Sequence, residues 1–92
     1  MSTRPNYVIL PAGTVIRDGN YGNAGSFLLY HPLAALIEHV WNENFMVSSV
    51  LDRRGREIET GLKFKYVLSP ISEFSDGQTA DEAWTNFDAA QK

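Results

Sequence analysis

Two stretches of the chain, residues 45–51 and 62–68, alternate between apolar and other side chains. Such alternation is typical of a strand with one face in a core and the other towards water. The turn between them, residues 52–56, contains Gly55 and three arginines. The pattern predicts a β-hairpin with a basic tip. The side chains predicted to face the core from its second strand are Leu62, Phe64, Tyr66 and Leu68.

Shorter apolar stretches nearer the N-terminus predict further strands. Tyr7–Leu10 is followed by a Pro-Ala-Gly turn and then by a run rich in β-branched residues at positions 14–17. Another apolar stretch, residues 27–30, comes after a loop rich in glycine and asparagine. Because β-branched residues favour strands while glycine and asparagine favour turns, we predict strand, turn, strand, loop and strand over this region.

The segment after Pro32 has a different period. Its apolar residues recur at intervals of three and four positions, which places them on one side of an α-helix. Proline also suits the first turn of a helix. We therefore predict a helix at about residues 32–42. Its apolar stripe consists of Leu33, Leu36, Ile37, Val40 and Trp41.

A second helix is predicted at the C-terminal end, at about residues 80–91, after a predicted loop at residues 75–78. Thr79 and Glu82 have the spacing of a capping box, in which each side chain accepts a hydrogen bond from a free backbone N–H of the first turn. A helix this short is marginal in water, so we expect it to dock on another surface. The residues along its apolar side are Ala80, Ala83, Trp84, Phe87 and Ala90.

Together these elements predict an α+β fold. We expect a small curved antiparallel sheet of four or five strands, with the helix at 32–42 packed on it and the short amphipathic helix at 80–91 at the C-terminus. A partly closed, barrel-like sheet is the alternative. A chain of 92 residues suffices for a single domain, residues 1–92. Within it, residues 70–92 form an acidic C-terminal segment that contains the docking helix.

Charge is distributed unevenly along the chain. The net charge is −3, and the acidic C-terminal segment contains five carboxylates and one lysine. Proteins that bind nucleic acid in general are usually basic overall, which argues against nucleic acid as a partner. The basic clustering lies instead in the hairpin, at its tip and at Lys63 and Lys65.

The chain contains no cysteine, which excludes disulfides, thiolate metal sites and cysteine nucleophiles. Small exported domains often need disulfides, so this composition favours a cytoplasmic location. The first residues have no apolar run behind a basic start, and we expect no signal peptide. No stretch is long and apolar enough to cross a membrane.

No residue pattern points to catalysis or to a metal. His31 and His39 are the only histidines, and no third ligand follows at a recognisable spacing. A general base needs a positioned partner and a pocket, and the sequence indicates neither. We therefore expect no enzyme activity, no metal and no cofactor.

The leading hypothesis is a non-catalytic protein–protein interaction module, either an accessory subunit or a small inhibitor that acts by surface occlusion. Tryptophan, tyrosine and arginine most often dominate protein interfaces. For these features taken one by one, the favoured interpretations are that the helix aromatics pack on their own sheet and that the tip is an ordinary solvated turn. Self-association as a homodimer is also considered, with the acidic segment of one subunit against the arginines of another. The candidate partner-binding residues are Trp84, Phe87, Arg53, Arg54 and Arg56.

The alternative function is binding of a small anionic ligand or a sequestered nucleotide. It uses the loop from Gly19 to Gly25 together with the hairpin tip from Arg53 to Arg56. The loop leads into an apolar strand and lacks the lysine of a phosphate-binding loop, so an ordinary connector is the competing interpretation. The candidate ligand-binding residues are Arg17, Asn20, Tyr21 and Asn23.

Overall fold

The structure, a computed structural model, describes residues 5–18 and 25–91. These residues form a seven-stranded antiparallel sheet and one C-terminal α-helix, a small α+β fold made mostly of strands. The prediction of four or five strands with two helices is therefore wrong. The elements are β1 (Tyr7–Leu10), β2 (Val15–Asp18), β3 (Ser26–Leu28), β4 (Leu33–Val40), β5 (Phe45–Leu51), β6 (Lys65–Val67), a short 3₁₀ helix (Ile71–Glu73), β7 (Ser75–Gly77) and α1 (Ala80–Ala90).

The helix predicted at residues 32–42 does not form, because Leu33–Val40 is strand β4. The strand order is β3-β2-β6-β5-β4-β1-β7, so β4 lies between β5 and β1 with strands on both sides. Its residues 33–37 are apolar because both faces of this part of the sheet are covered. A continuous apolar run of this kind is compatible both with the apolar stripe of a helix and with a strand buried on both faces. Here the pairing with β5 and β1 determines that it is a strand.

The sheet is strongly rolled. Strands β1 and β2 are separated by three other strands in the sheet, which corresponds to about 19 Å across a flat sheet. In sequence only residues 11–14 connect them, and these form a tight turn in which the N–H of Thr14 donates to the carbonyl of Pro11 at 3.2 Å. The sheet therefore curls until β1 approaches β2, and its inner face encloses the main core.

The two faces of the rolled sheet bury different clusters. The inner cluster contains buried residues from every strand from β1 to β6 except β3, whose Phe27 is partly buried against it, and Leu29 also belongs to it. The outer cluster is smaller and forms where α1 lies over Ile9 and Ala34. Helix α1 contacts β1, β4 and β7, so it covers one half of the outer face. The buried inner residues are Val8, Leu10, Ile16, Leu29, Leu33, Ala35, Ile37, Phe45, Val47, Val50 and Val67.

Helix α1 begins where its capping residues predict. The Oγ1 of Thr79 accepts a hydrogen bond from the N–H of Glu82 at 3.1 Å, and the Glu82 carboxylate reaches back to the N–H of Gln78 at 3.4 Å. The amide of Asn86 donates to the carbonyl of Asp76 at 2.7 Å and ties α1 to the edge strand β7.

Within residues 5–18 and 25–91, no helix has both the length and the apolar character that a membrane-spanning helix requires.

The second strand of the hairpin faces the opposite way from its prediction. Val67 pairs with Phe45, and both point into the inner cluster, Val67 with 2% of its surface exposed. Because side chains alternate along a strand, the neighbouring side chains on β6 point outward. Phe64 and Leu68 are accordingly exposed. The residues predicted to face the core thus include several that form an apolar stripe on the outer face.

Candidate binding surface

The half of the outer face that α1 leaves free carries a row of side chains across four strands. Arg17 on β2 pairs with Tyr66 on β6, Tyr66 pairs with Met46 on β5, and Met46 pairs with His39 on β4. Cross-strand partners point to the same side of a sheet, so these four side chains are neighbours. We call this half, with its flanking exposed residues, the uncovered outer face.

Aromatic side chains form a groove at one end of this face, with a volume of about 630 Å³. Trp41 and Phe64 are 47% and 45% exposed although both are large and apolar. A volume in this range is typical of ligand pockets, which are lined mainly by apolar and aromatic side chains. We call it the aromatic groove; its lining residues are Trp41, Asn44, Met46, Phe64 and Tyr66.

Backbone and side-chain contacts hold the walls of the aromatic groove. The N–H of Trp41 donates to the carbonyl of Asn44 at 2.8 Å, which closes the turn between β4 and β5. The His39 ring packs edge-on against the Trp41 ring at 4.5 Å between centroids. On the other side, the N–H of Phe64 donates to the Asp18 carboxylate at 3.4 Å. The groove is therefore largely preformed by the strands and the turn.

The groove offers several unused polar groups. The Oδ1 of Asn44 is buried and accepts no hydrogen bond within the part of the chain that the structure describes. Over the same residues, neither the indole N–H of Trp41 nor the hydroxyl of Tyr66 donates to a protein acceptor. Buried polar groups without a partner are costly, by about 1–3 kcal/mol each. Asn44 in particular favours a ligand that supplies a donor.

Exposed apolar residues continue from the groove across β6, β2 and β3. Val15 pairs with Leu28, and Leu68 follows Tyr66 by two residues on the same side. All three are exposed, Leu68 at 53%. Single exposed apolar residues are common on protein surfaces, whereas contiguous ones mark interaction sites. We call Val15, Leu28 and Leu68 the apolar extension of the groove.

Two of the candidate partner-binding residues have internal roles. Trp84 is 7% exposed and packs in the outer cluster with Ile9 and Ala34. Phe87 packs against the same cluster, with its ring edge-on to Trp84 at 5.9 Å. The structure thus uses both aromatic side chains to attach α1 to the sheet. Their contribution to a partner interface stays a prediction.

Arg53 of the hairpin tip is bound to helix α1. Arg53 makes two hydrogen bonds to the Asp88 carboxylate, at 2.7 and 3.1 Å, and these bonds raise the pKa of its guanidinium. The same guanidinium lies 4.2 Å from the centre of the Trp84 ring. The tip is therefore fastened to α1 through Arg53. The Arg53–Asp88 ion pair thus joins the basic tip to the acidic C-terminal segment within one chain.

The remaining tip residues are organised by Asp52. Its Oδ1 accepts the backbone N–H groups of Arg54 and Arg56, both at 2.9 Å, and its Oδ2 accepts Nε of Arg56 at 3.2 Å. These bonds, the one from the Arg56 backbone foremost, lower the pKa of Asp52. Gly55 completes the turn with a positive φ of 82°, which glycine adopts without strain.

Replacing Arg53 with lysine is expected to lower the free energy of unfolding by about 1 kcal/mol, since an exposed ion pair and a cation–π contact each contribute less than that. Lysine keeps the charge but loses the two-pronged contact with Asp88 and the stacking on Trp84. Urea unfolding measures the difference. Arg54→Lys is the matched control, and an equal loss of stability in that variant would contradict the stabilising role of the Arg53 contacts with Asp88 and Trp84.

The candidate ligand-binding residues are only partly described. Asn20, Tyr21 and Asn23 lie outside the described residues. Arg17 lies on the uncovered outer face beside Tyr66, and it lines a second depression together with Val15, Leu68 and Glu73. No group of three His, Asp or Glu side chains in the described ranges is arranged to hold a metal ion.

Sequence reasoning missed the aromatic groove. The sequence pattern places Trp41 on a helical stripe and predicts that Phe64 and Tyr66 face the core. One signal could have indicated otherwise: Val67, the single apolar residue on the other face of that strand.

Comparisons with protein-family models, with curated proteins and with solved structures find no match.

Proposed function

We propose that this protein is a non-catalytic protein–protein interaction module that binds its partner through the uncovered outer face. The observation that carries the proposal is the outward apolar stripe formed by Tyr66 on β6 and by Phe64 and Leu68, which directly flank β6, beside Trp41. A strand that turns its more apolar face to water lacks the burial that normally stabilises it. A partner surface would supply that burial.

The composition of the aromatic groove supports binding rather than bond-making. Tryptophan and tyrosine are the side chains that most often dominate the energy of protein interfaces. The groove lining contains no carboxylate, histidine or lysine that could transfer a proton near neutral pH. An accessory subunit or an inhibitor acting by surface occlusion fits this chemistry. A cytoplasmic location belongs to the same proposal and is supported by the cysteine-free sequence.

Site-specific photo-crosslinking tests the proposal. A benzophenone amino acid at position 64 should yield a discrete adduct with the partner in cells that express the chain naturally. Unlabelled wild-type protein should compete for that adduct, and the Trp41→Ala variant should not. Position 85, an exposed site on α1, is the control. Equal labelling from position 85, or no adduct from position 64, would refute this use of the outer face.

One observation favours the alternative, binding of a small anionic ligand or nucleotide. Two cations flank the aromatic groove: Arg17 lies beside Tyr66, and the Lys63 ammonium lies 5.9 Å from the centre of the Phe64 ring. Aromatic rings with adjacent cations can hold a base and its phosphates. The apolar extension, which a mononucleotide would leave exposed, makes a protein partner the better-supported proposal.

A further inference from the structure

We propose that the aromatic groove binds an extended, proline-containing segment of the partner, with an acidic residue next to the prolines. This inference rests on the proposed function and specifies which part of a protein partner enters the groove. It follows from three properties of the groove: the flat shape of its walls, the excess of hydrogen-bond donors, and the position of its cations.

The walls of the groove suit proline rings. Trp41, Phe64 and Tyr66 present flat aromatic surfaces, and Met46 fills the floor with an adaptable apolar side chain. Proline-rich segments form a polyproline II helix before they bind, so they lose little conformational entropy in an aromatic groove. A preformed groove and a preformed ligand together reduce the ordering cost of association.

The hydrogen-bonding groups of the groove also match this ligand. A polyproline II segment has free backbone carbonyls, and its prolines have no N–H to satisfy. Trp41 and Tyr66 offer donors that are unused within the described residues. The buried Oδ1 of Asn44, in contrast, is an acceptor and needs a hydrogen-bond donor from the ligand. A rotation of the Asn44 amide, whose terminal torsion is broad, would let it accept an N–H from a non-proline residue of the peptide.

The charges around the groove place an acidic residue at one end. Arg17 and Lys63 flank the groove beside Tyr66 and Phe64, and neither forms a salt bridge within the described residues. At the opposite wall, which Trp41 and Asn44 form, the nearest acidic residue in sequence is Glu43, next to Asn44. The Asp18 carboxylate, which accepts the N–H of Phe64 at 3.4 Å, lies at the same end as the two cations and weakens their attraction for an acidic ligand. An acidic side chain of the ligand is attracted towards Arg17 and Lys63 and repelled from Glu43.

A peptide fits this surface better than a single-stranded nucleic acid. Proteins that bind single-stranded nucleic acid use a continuous basic groove along its backbone, whereas this chain carries a net charge of −3. The apolar extension, Val15, Leu28 and Leu68, continues from the groove and offers contacts for apolar side chains but none for phosphates. A peptide longer than the groove can use both regions.

The two tryptophans provide the test, because Trp41 lines the groove and Trp84 is buried under α1. The full chain is labelled with ¹⁵N, and its two indole N–H signals are assigned with a Trp84→Phe variant. The probe is the peptide AEPPLPPLPA. The matched peptides replace every proline with alanine or the glutamate with lysine. A ten-nucleotide oligothymidylate represents nucleic acid.

We expect the Trp41 indole signal to shift with the proline peptide while the Trp84 signal stays in place. Replacing the prolines should weaken binding by about tenfold or more, and replacing the glutamate by about threefold. Phe64→Ser should abolish the shift without changing the rest of the spectrum, because this side chain belongs to neither core cluster and its loss leaves the core intact.

Three results would overturn the inference: no Trp41 shift at millimolar peptide, equal affinity for the alanine peptide, or preferential binding of the oligothymidylate. The last would favour the nucleotide alternative. If position 64 still crosslinks a protein partner while the proline peptide fails, the proposed function survives and only the peptide chemistry is wrong. If both experiments fail, both proposals are wrong.

Discussion

Replacing Trp84 with alanine is expected to lower the free energy of unfolding by about 3–5 kcal/mol, the usual loss when a buried aromatic side chain is removed. Trp84 packs on Ile9 and Ala34 and carries the stacked guanidinium of Arg53. Its removal leaves a cavity between α1 and the sheet and also ends that contact. Equilibrium urea unfolding, followed by far-UV circular dichroism, measures the loss.

Trp41→Ala is the matched control, because it removes the same side chain from an exposed position. We expect it to change stability by less than about 1 kcal/mol and to abolish crosslinking from position 64. Equal destabilisation by the two variants would mean that Trp41 is a structural residue. Loss of crosslinking in a fully folded Trp84→Phe variant would instead support Trp84 as a partner-binding residue.

The second large effect is expected at Gly77, where α1 lies directly against the edge strand β7. A Cβ at this position would lie 2.5 Å from the backbone nitrogen of Ala83 and 2.9 Å from the carbonyl carbon of Glu82. Backbone atoms of a helix cannot move aside individually, so α1 would have to shift as a unit. We expect Gly77→Ala to lower the free energy of unfolding by about 3 kcal/mol, at the upper end of overpacking effects.

Gly25→Ala provides the comparison for Gly77→Ala. The nearest atom to its added Cβ is Cδ2 of Leu62, at 3.3 Å, the end of a flexible side chain that can turn away. Its effect should stay within about 1 kcal/mol. The measurements are urea unfolding and the fluorescence of Trp84, which reports on the seating of α1, in a Trp41→Phe background. Similar stability of both alanine variants would contradict the close approach of α1 to β7.

Local interactions explain which elements were predictable. Helix α1 was predicted at about residues 80–91 and occupies Ala80–Ala90, because its cap at Thr79 and its apolar stripe both lie within a short segment. The strands at Tyr7–Leu10 and from Val15 were also predictable, since β-branched residues flank a Pro-Ala-Gly turn. In these elements, neighbours in sequence supply most of the information.

Long-range pairing explains the elements that were not predictable. Leu33–Val40 has helical spacing, yet pairing with β1 and β5 makes it a central strand. Strand β7 looked like part of a loop, and it forms because Asp76 pairs with Val8, far away in sequence. Neither partner can be identified from the local pattern, because non-local pairing depends on how the whole chain closes.

The candidate site depends on the same long-range effects. Arg53 contacts Asp88 and Trp84 only because α1 folds back over the sheet, so two residues predicted to face a partner, Arg53 and Trp84, contact each other instead. The aromatic groove forms because β4, β5 and β6 bring Trp41, Met46 and Tyr66 to one face. None of these residues stands near the others in a recognisable motif.

By itself, the sequence determined the absence of thiol chemistry, the acidity of the C-terminal segment, the amphipathic helix α1 and the strand-rich N-terminal part. Only the tertiary structure decided which apolar residues face water. The pairing of Val67 with Phe45 turns Phe64, Tyr66 and Leu68 outward. A shift of one residue in that pairing would bury them, because side chains alternate along a strand. That register depends on contacts between segments that are distant in sequence, so it cannot be inferred from the local pattern of residues.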